Sequence, residues 1–334
     1  MKKYNVGLFV PHAGCPNQCS FCNQKSISGQ QGQITEEDVK NAAETALKSS
    51  AGNNGEIAFF GGSFTAIDRD YMIRLLSAAK VYIDKKLFSG IRISTRPDKI
   101  DEEICDILKR YNVTSVELGC QSMNDEVLKM NKRGHTSEDV VNATNLLKKY
   151  GFEVGHQMMT GLYGSDYEKD LDTARKIIDL KPDTVRIYPT IVLEGTKLCE
   201  LYKTGEYKVM SGDETVSLCA ELLEMFYENN IRVIRTGLHS GGNVEEGYIA
   251  GFYHPAFKEL CESEIYYKKV LSELEKEKIQ EGRINIYVPD GAVSAVVGQK
   301  KCNTEKLRLK GYLPKFTVDE TLGRYEVRVK EGTV

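Results

Sequence analysis

Cys15, Cys19 and Cys22 stand at C-x3-C-x2-C spacing within Pro11-His12-Ala13-Gly14-Cys15-Pro16-Asn17-Gln18-Cys19-Ser20-Phe21-Cys22-Asn23. Thiolates are soft ligands, and three of them this close together can hold one iron–sulfur cluster or one zinc ion. Three protein ligands leave one iron of a four-iron cluster open, and an open position is what metal catalysis needs. With His12 as a fourth ligand, the same cysteines would close a structural zinc site. Spacing alone leaves both readings open. The other cysteines, Cys105, Cys120, Cys199, Cys219, Cys261 and Cys302, are scattered, and each is expected to be a buried free thiol. This usage suits a reducing, cytoplasmic setting rather than a disulfide framework.

The elements that must position these thiols alternate between two hydrophobic periods. Tyr4–Val10, Glu56–Phe60, Ile91–Thr95, Ser115–Leu118, Phe152–Met159 and Thr184–Tyr188 are short and mostly apolar, and they read as strands. Between them run helical stripes such as Val39-Ala42-Ala43-Ala46-Leu47 and Met72-Leu75-Leu76-Ala79-Ile83. Thr35 reads as an N-cap, with Glu36, Glu37 and Asp38 placed against the helix dipole. Strands buried on both faces and separated by helices predict a parallel sheet with right-handed crossovers. A helix from Asp213 to Asn230 and a further strand, Ile231–Arg235, follow. Leu238–Glu246 reads as a loop and His254–Lys278 as a linker helix.

Polar motifs fall just after the strands, where such folds bind their ligands. Gly61-Gly62-Ser63-Phe64 ends the second strand, and a glycine pair lets backbone approach a ligand closely. Ser94 and Arg96 end the third strand, Gln121 the fourth, and Gln157 lies on the fifth; Arg133 comes one helix after the fourth. Amides and hydroxyls can pair with sugar hydroxyls, and guanidinium can fork a carboxylate. Each could equally satisfy a neighbouring backbone group. His135 and His156 could transfer protons or serve structure, and Tyr188 could face a substrate or pack.

The cysteine loop, with Phe21 just before its last cysteine, resembles that of the radical S-adenosylmethionine (radical SAM) enzymes. The resemblance implies a [4Fe-4S] cluster on Cys15, Cys19 and Cys22, and a partial (β/α)6 TIM-like barrel. It further implies S-adenosylmethionine held by Phe21, Gly61, Gly62, Ser63, Phe64, Ser94, Arg96, Gln121, Arg133 and Gln157. Ser63 stands where an acidic residue is common in that superfamily. Glu117-Leu118-Gly119-Cys120-Gln121-Ser122, Arg133-Gly134-His135-Thr136, Arg186-Ile187-Tyr188-Pro189-Thr190, Gly195-Thr196 and Leu201-Tyr202-Lys203-Thr204-Gly205 are similar to the radical SAM domain of the Elongator catalytic subunit. That family modifies a wobble uridine of transfer RNA. Its first two cysteines lie further apart, and its acetyltransferase domain has no room after Leu238. The resemblance therefore implies the cluster, the cofactor site and an RNA substrate, but not the acetyl-coenzyme A reaction.

The tail differs in charge. Residues 283–334 carry ten Lys/Arg against six Asp/Glu, while the whole chain has a net charge of −3. Such asymmetry can mark an anionic partner. The expected order, β-α-α-β-β with strands at Arg283–Val288, Phe316–Val318 and Tyr325–Val329, resembles a KH module, which clamps nucleic-acid backbone at a G-x-x-G loop. Gly298, Lys300, Lys301, Lys306 and Arg308 are the candidate RNA contacts, with Lys301 where that loop has its second glycine.

The expected architecture is α/β: a barrel over residues 1–240, a loop and linker helix over 241–282, and a small KH-like α+β domain over 283–334. No apolar run is long enough to span a bilayer, and no secretory signal is evident. The expected function is radical SAM catalysis on RNA, with an electron donor such as flavodoxin or ferredoxin. Two alternatives stay open: a small-molecule enzyme resembling the oxygen-independent coproporphyrinogen oxidases, and a non-catalytic, metal- or cluster-bearing RNA-binding protein.

Overall fold

A computed structural model describes residues 4–10, 18–23, 32–49, 55–238, 245 and 247–332. Cys15 and His12 lie outside these residues, as does most of the expected loop at Leu238–Glu246. In order, the chain forms β1 (Tyr4–Val10), α1 (Glu36–Lys48), β2 (Gly55–Gly61), α2 (Arg69–Asp84), β3 (Gly90–Thr95), α3 (Glu102–Arg110) and β4 (Val113–Gln121). It continues with α4 (Asp125–Met130), α5 (Ser137–Lys149), β5 (Glu153–Thr160), α6 (Tyr167–Asp179) and β6 (Thr184–Pro189). Next come β7 (Val192–Leu193), α7 (Lys197–Thr204), α8 (Gly212–Glu228), β8 (Arg232–Thr236), β9 (Tyr248–Ala250) and α9 (Phe257–Lys276). The tail is β10 (Gly282–Val288), α10 (Val293–Val297), α11 (Cys302–Leu309), β11 (Tyr312–Val318) and β12 (Arg328–Glu331).

The helix starts follow from their caps. Thr35 and Thr136 each form a capping box with the aspartate three residues on, Asp38 and Asp139, satisfying main-chain donors that the first turn leaves open. β3 is buried along its whole length, as expected of a strand covered on both faces. The described strands β1-β2-β3-β4-β5-β6-β8 pair in that order, all in parallel. The sheet curls: the Arg186 guanidinium on β6 lies 5.3 Å from the ring centroid of Phe60 on β2, although three strands separate them. Contact across that gap is possible only through a lumen, so the sheet is a partial TIM-like barrel.

Charged residues sit within that lumen. Arg92 pairs with Glu56 at 2.8 Å, Glu117 at 3.3 Å and Glu153 at 2.6 Å. Glu117 also takes a two-point contact from Arg186, Nε to Oε2 at 2.6 Å and Nη2 to Oε1 at 2.8 Å. Ions can be buried this way only when each finds a partner with good geometry.

The stretch after β6 holds more structure than its polar sequence suggests. Val192–Leu193 pairs antiparallel with β9, and α7 begins on the Thr196 cap and ends at Gly205, which adopts a left-handed φ of 79°. The expected linker, α9, buries Phe257, Cys261, Ile265, Tyr266, Val270 and Leu274. Through it the core runs unbroken from the barrel to Ile284, Ile286 and Val288 of β10. The tail sheet has the order β11-β10-β12, with β10 parallel to β11 and antiparallel to β12. This is the expected β-α-α-β-β order, with two changes of extent. β11 begins earlier, at Tyr312, and the last strand begins later, at Arg328, because Tyr325 turns the chain with a φ of 63°. Among the described residues, no helix is long and apolar enough to cross a membrane.

Candidate active site

The second half of the cysteine loop docks at the mouth of the barrel. Cys19 is buried and Cys22 half-buried, and a turn closed by the Cys22 amide donating to the Cys19 carbonyl (3.2 Å) brings them together. Ser20 between them is fixed from two sides. Its amide donates to the Asn131 carbonyl (3.1 Å), and its hydroxyl donates to Asn131 Oδ1 (2.6 Å). Its carbonyl accepts from the Leu198 amide of α7 (2.7 Å). Phe21 packs on the apolar patch of Val192, Leu198 and Cys199. The loop thus rests on the segment that the sequence shows only as polar.

The strand ends converge opposite it. One cavity is lined by Cys19, Phe21, Cys22, Gly61, Gly62, Ser63, Ser94, Arg96, Gly119, Gln121, Arg133 and Gln157, with Gln18 and Thr95. Of the ten expected cofactor contacts, Phe64 alone is missing from its wall. Its ring is buried and stacked on Phe59 at 4.8 Å, so it belongs to the core. Gly61 has a φ of 109°, and a Cβ there would lie 2.6 Å from the Val10 carbonyl oxygen, so only glycine fits beside β1. The Ser63 hydroxyl lies 2.8 Å from that of Thr95 and accepts from the Arg96 amide (3.2 Å). It ties the second strand end to the third.

Several polar atoms in this wall are held but not satisfied. Gln121 is a non-glycine residue at a φ of 61°, a strained conformation of the kind found at ligand sites. Its Oε1 is buried with no hydrogen-bond partner among the described residues, and the same holds for Arg96 Nη2 and Arg133 Nε. Arg133 Nη1 donates to Cys19 Sγ (3.1 Å) and Nη2 to the Gly119 carbonyl (2.7 Å). A Cβ at Gly119 would come within 3.2 Å of Gln121 Oε1 and 3.4 Å of Arg133 Nη2, so the glycine lets both side chains close over it. Gln157 Nε2 donates to Ser94 Oγ (3.3 Å) and to Glu117 Oε2 (2.9 Å), linking the cavity to the ion network.

His135 Nε2 faces the Cys120 carbonyl at 3.2 Å, so that nitrogen carries the proton. Burial first, then the charges of Arg133 and Arg96, hold its pKa down to about 4. His156 lies on the far side of β5 against Thr144 of α5 and is structural. Burial pushes the Cys120 and Cys219 thiols up to about 12 and Cys105 up to about 11, which fits their expected role as inert core thiols. Sequence reasoning missed Asn131 and Thr95.

The donor set is chemically mixed. Soft thiols at the mouth suit a metal cluster. Two guanidinium groups and an amide with open bonding capacity suit a carboxylate and neighbouring polar groups of one organic ligand. Both fit the cofactors that the resemblance implies.

Comparison with known proteins agrees. The sequence profile of the radical SAM superfamily matches residues 9–177, and that of the radical SAM C-terminal domain matches residues 182–267. A tRNA uridine(34) acetyltransferase of Methanocaldococcus jannaschii is 36% identical over 186 residues, which are 50% of this chain and 34% of that protein. The chain thus spans about a third of that relative's length. An uncharacterized protein of the same organism is 30% identical over 227 residues, 67% of each chain. The solved structure of archaeal Elp3 from Methanocaldococcus infernus superposes with a TM-score of 0.64 at 25% identity, covering 83% of this chain and 64% of the other. The chain belongs to the radical SAM superfamily of enzymes, whose cofactors are a [4Fe-4S] cluster and S-adenosylmethionine.

Proposed function

We propose that the protein is a cytoplasmic radical SAM enzyme that modifies RNA, with transfer RNA as its substrate. The observation that carries the cofactor half of this reading is the convergence of Cys19, Cys22, Gln121, Arg96 and Arg133 on one cavity, with buried polar atoms left open for a ligand. Cys15, Cys19 and Cys22 would hold the cluster. Arg133 and Arg96 would take the carboxylate of S-adenosylmethionine, the Gly61-Gly62 backbone its amino group, and Ser94, Gln121 and Gln157 its ribose and adenine edge. When bound, these cofactors supply a 5′-deoxyadenosyl radical through one-electron cleavage of the sulfonium. The chain's own part is to bind, orient and keep water out, through the buried wall of Ser63, Ser94 and Arg96. A flavodoxin- or ferredoxin-like protein would supply the electron.

The RNA half rests on the relatives named for transfer-RNA modification and on the tail. There the candidate contacts divide. Lys306 pairs with Glu264 (3.7 Å) and lies over the Tyr267 ring (4.9 Å), and Arg308 pairs with Glu305 (2.7 Å). Lys300 and Lys301 are exposed and follow Gly298 in left-handed conformations, with φ of 51° and 64°. They are the stronger candidates for a backbone clamp.

Anaerobic incubation with reductant, S-adenosylmethionine and total RNA, followed by nucleoside mass spectrometry, tests the whole reading. Reconstituted protein should be brown, bleach on reduction and release 5′-deoxyadenosine. Alanine at Cys15, Cys19 or Cys22 should abolish the cluster, while alanine at Cys105 or Cys219 should spare it. A colourless protein with one tightly bound zinc would sink the proposal.

A further inference from the structure

Arg186 on β6 and Arg235 on β8 are register partners on adjacent parallel strands, so their side chains leave the sheet on the same face. That face is the lumen, since Arg186 reaches Phe60 across it. Two guanidinium groups side by side repel, and among the described residues only that of Arg186 is neutralised. Arg186 takes both oxygens of Glu117, and Glu117 is already shared with Arg92 and Gln157. Arg235 donates to main-chain carbonyls instead, Nε to Gly237 (3.2 Å) and Nη2 to Leu238 (3.2 Å). It has no carboxylate partner among the described residues. Burial and the Arg186 charge both press its pKa below the ordinary arginine value. A half-buried cation with no counter-ion among the described residues is costly, and Arg235 lies on the strand next to the one that carries a phenol, Tyr188, two residues on from Arg186. Tyr188, on the same face of β6 as Arg186 and hydrogen-bonded to it, is raised by burial above the usual tyrosine range, so its oxygen accepts from Arg186 while its hydroxyl stays protonated and able to donate.

We propose that Arg235, with the Tyr188 hydroxyl, seats an oxyanion of the substrate, a carboxylate or a phosphate, on the β6–β8 side of the lumen. The role as a substrate anchor rests on the enzyme reading above; the anion site itself does not. The site adjoins the cofactor cavity through a single side-chain relay, Arg186 to Glu117 to Gln157, so an anchored substrate lies next to the place where S-adenosylmethionine would bind. Arginine suits this role because its planar fork matches both oxyanions and cannot lose its charge.

The test uses the full chain and two probes, inorganic phosphate followed by 31P line broadening and 13C-acetate followed by 13C line broadening. The parent should bind at least one of them saturably. Tighter phosphate binding would mark a nucleotide-type anchor, and tighter acetate binding a small organic acid. Arg235→Gln should weaken that binding about tenfold or more, the loss of one charge-assisted contact. Arg235→Lys, which keeps the charge, should recover part of it, and Arg324→Gln, on the surface, should bind as the parent does. Circular dichroism melts of each variant separate lost binding from lost folding. If the parent saturates with neither anion, or a folded Arg235→Gln binds like the parent, the site is overturned. Release of 5′-deoxyadenosine by the parent, measured separately, reports on the enzyme reading, so the two can fail independently.

Discussion

Arg133 Nη1 donates to Cys19 Sγ at 3.1 Å, so a residue expected to hold the organic cofactor also touches a cysteine expected to hold the cluster. Hydrogen bonds to cluster sulfurs raise reduction potential by stabilising the more negative state. Arg133→Ala should therefore do two things. It should weaken S-adenosylmethionine binding about tenfold or more, by loss of a charge-assisted contact. It should also shift the cluster potential to more negative values, which an EPR-monitored redox titration reads directly. Gln121→Ala, at a side chain with no hydrogen bond to a cysteine among the described residues, should weaken cofactor binding and leave the potential where it was. Equal potentials in the parent and Arg133→Ala would show that the Cys19 contact has no electronic consequence.

Asn131 is fully buried and holds the cysteine loop against two other elements. Its Nδ2 donates to the Val127 carbonyl (2.8 Å) and the Tyr163 carbonyl (2.8 Å), and its Oδ1 accepts from Ser20 (2.6 Å). Asn131→Ala strands the Ser20 hydroxyl and the Tyr163 carbonyl, while the Val127 carbonyl keeps the main-chain amide of residue 131, and it should cost about 2–4 kcal/mol. Ser20→Ala strands only one acceptor and should cost about 1 kcal/mol. Urea unfolding measures both. Iron retention after gel filtration should fall in the same order, since the residue that flanks Cys19 loses its anchor. Full iron retention by Asn131→Ala would mean that the cysteines hold the loop unaided.

The difference between what could be read from the sequence and what could not follows interaction range. The cysteine spacing, the Gly61-Gly62 turn and the polar residues at strand ends are local features, and nine of the ten expected cofactor contacts line one cavity. Phe64 lies outside that cavity, and an aromatic after a glycine pair reads the same in sequence whether it faces a ligand or Phe59. Asn131 was illegible because its partners, Ser20 and Tyr163, are far away along the chain. The lumen network did leave a trace: Arg92 sits between Ile91 and Ile93, and Arg186 between Val185 and Ile187, charges inside otherwise apolar strands. A charge at such a position demands a buried partner. Residues 191–205 gave no periodic signal because a two-residue strand and an eight-residue helix are too short to show one.

Buried groups of opposite sign shape stability against pH. Burial holds His156 down to about 3, with Nε2 donating to Thr144 Oγ1 (2.9 Å), whose own proton goes to the Val140 carbonyl. A histidine whose folded pKa lies below its unfolded value of 6.5 contributes stability above that value, and loses it as pH falls toward 3. His135, held down to about 4, acts in the same direction. Asp170 acts in reverse. Burial raises its carboxyl to about 7 against bonds from Ser165 and Gly161 that lower it. Its contribution is full below the unfolded value of 3.8 and is lost as pH rises to about 7. His156→Gln should therefore flatten the acid limb of a melting-temperature profile, and Asp170→Asn should flatten the decline toward neutrality. A profile unchanged by either substitution would contradict the assignment.

The loop between α10 and α11 decides between an RNA substrate and a small one. Gly298 has a φ of 81°, and a Cβ there would lie 2.6 Å from Cys302 Sγ, so the turn tolerates only glycine. Asn303 pins the loop to α9 and α10 through the Ser263 carbonyl and hydroxyl (both 2.9 Å) and the Val296 carbonyl (3.2 Å). Lys300 and Lys301 project from this fixed turn with no ion pair among the described residues, whereas Lys306 and Arg308 are already paired. Phosphate contacts release counterions, so affinity for transfer RNA should fall steeply as salt rises. Each single-strand phosphate contact removed should lower the log–log slope by roughly 0.7. Lys300→Ala with Lys301→Ala should therefore cut the slope by about 1.4, while Lys306→Ala should change it little, since that charge is spent on Glu264. Filter binding across a salt series, on the parent and both variants, measures this. Salt-insensitive or undetectable binding by the parent would turn the reading to a small-molecule substrate, with the tail as a structural cap on the barrel.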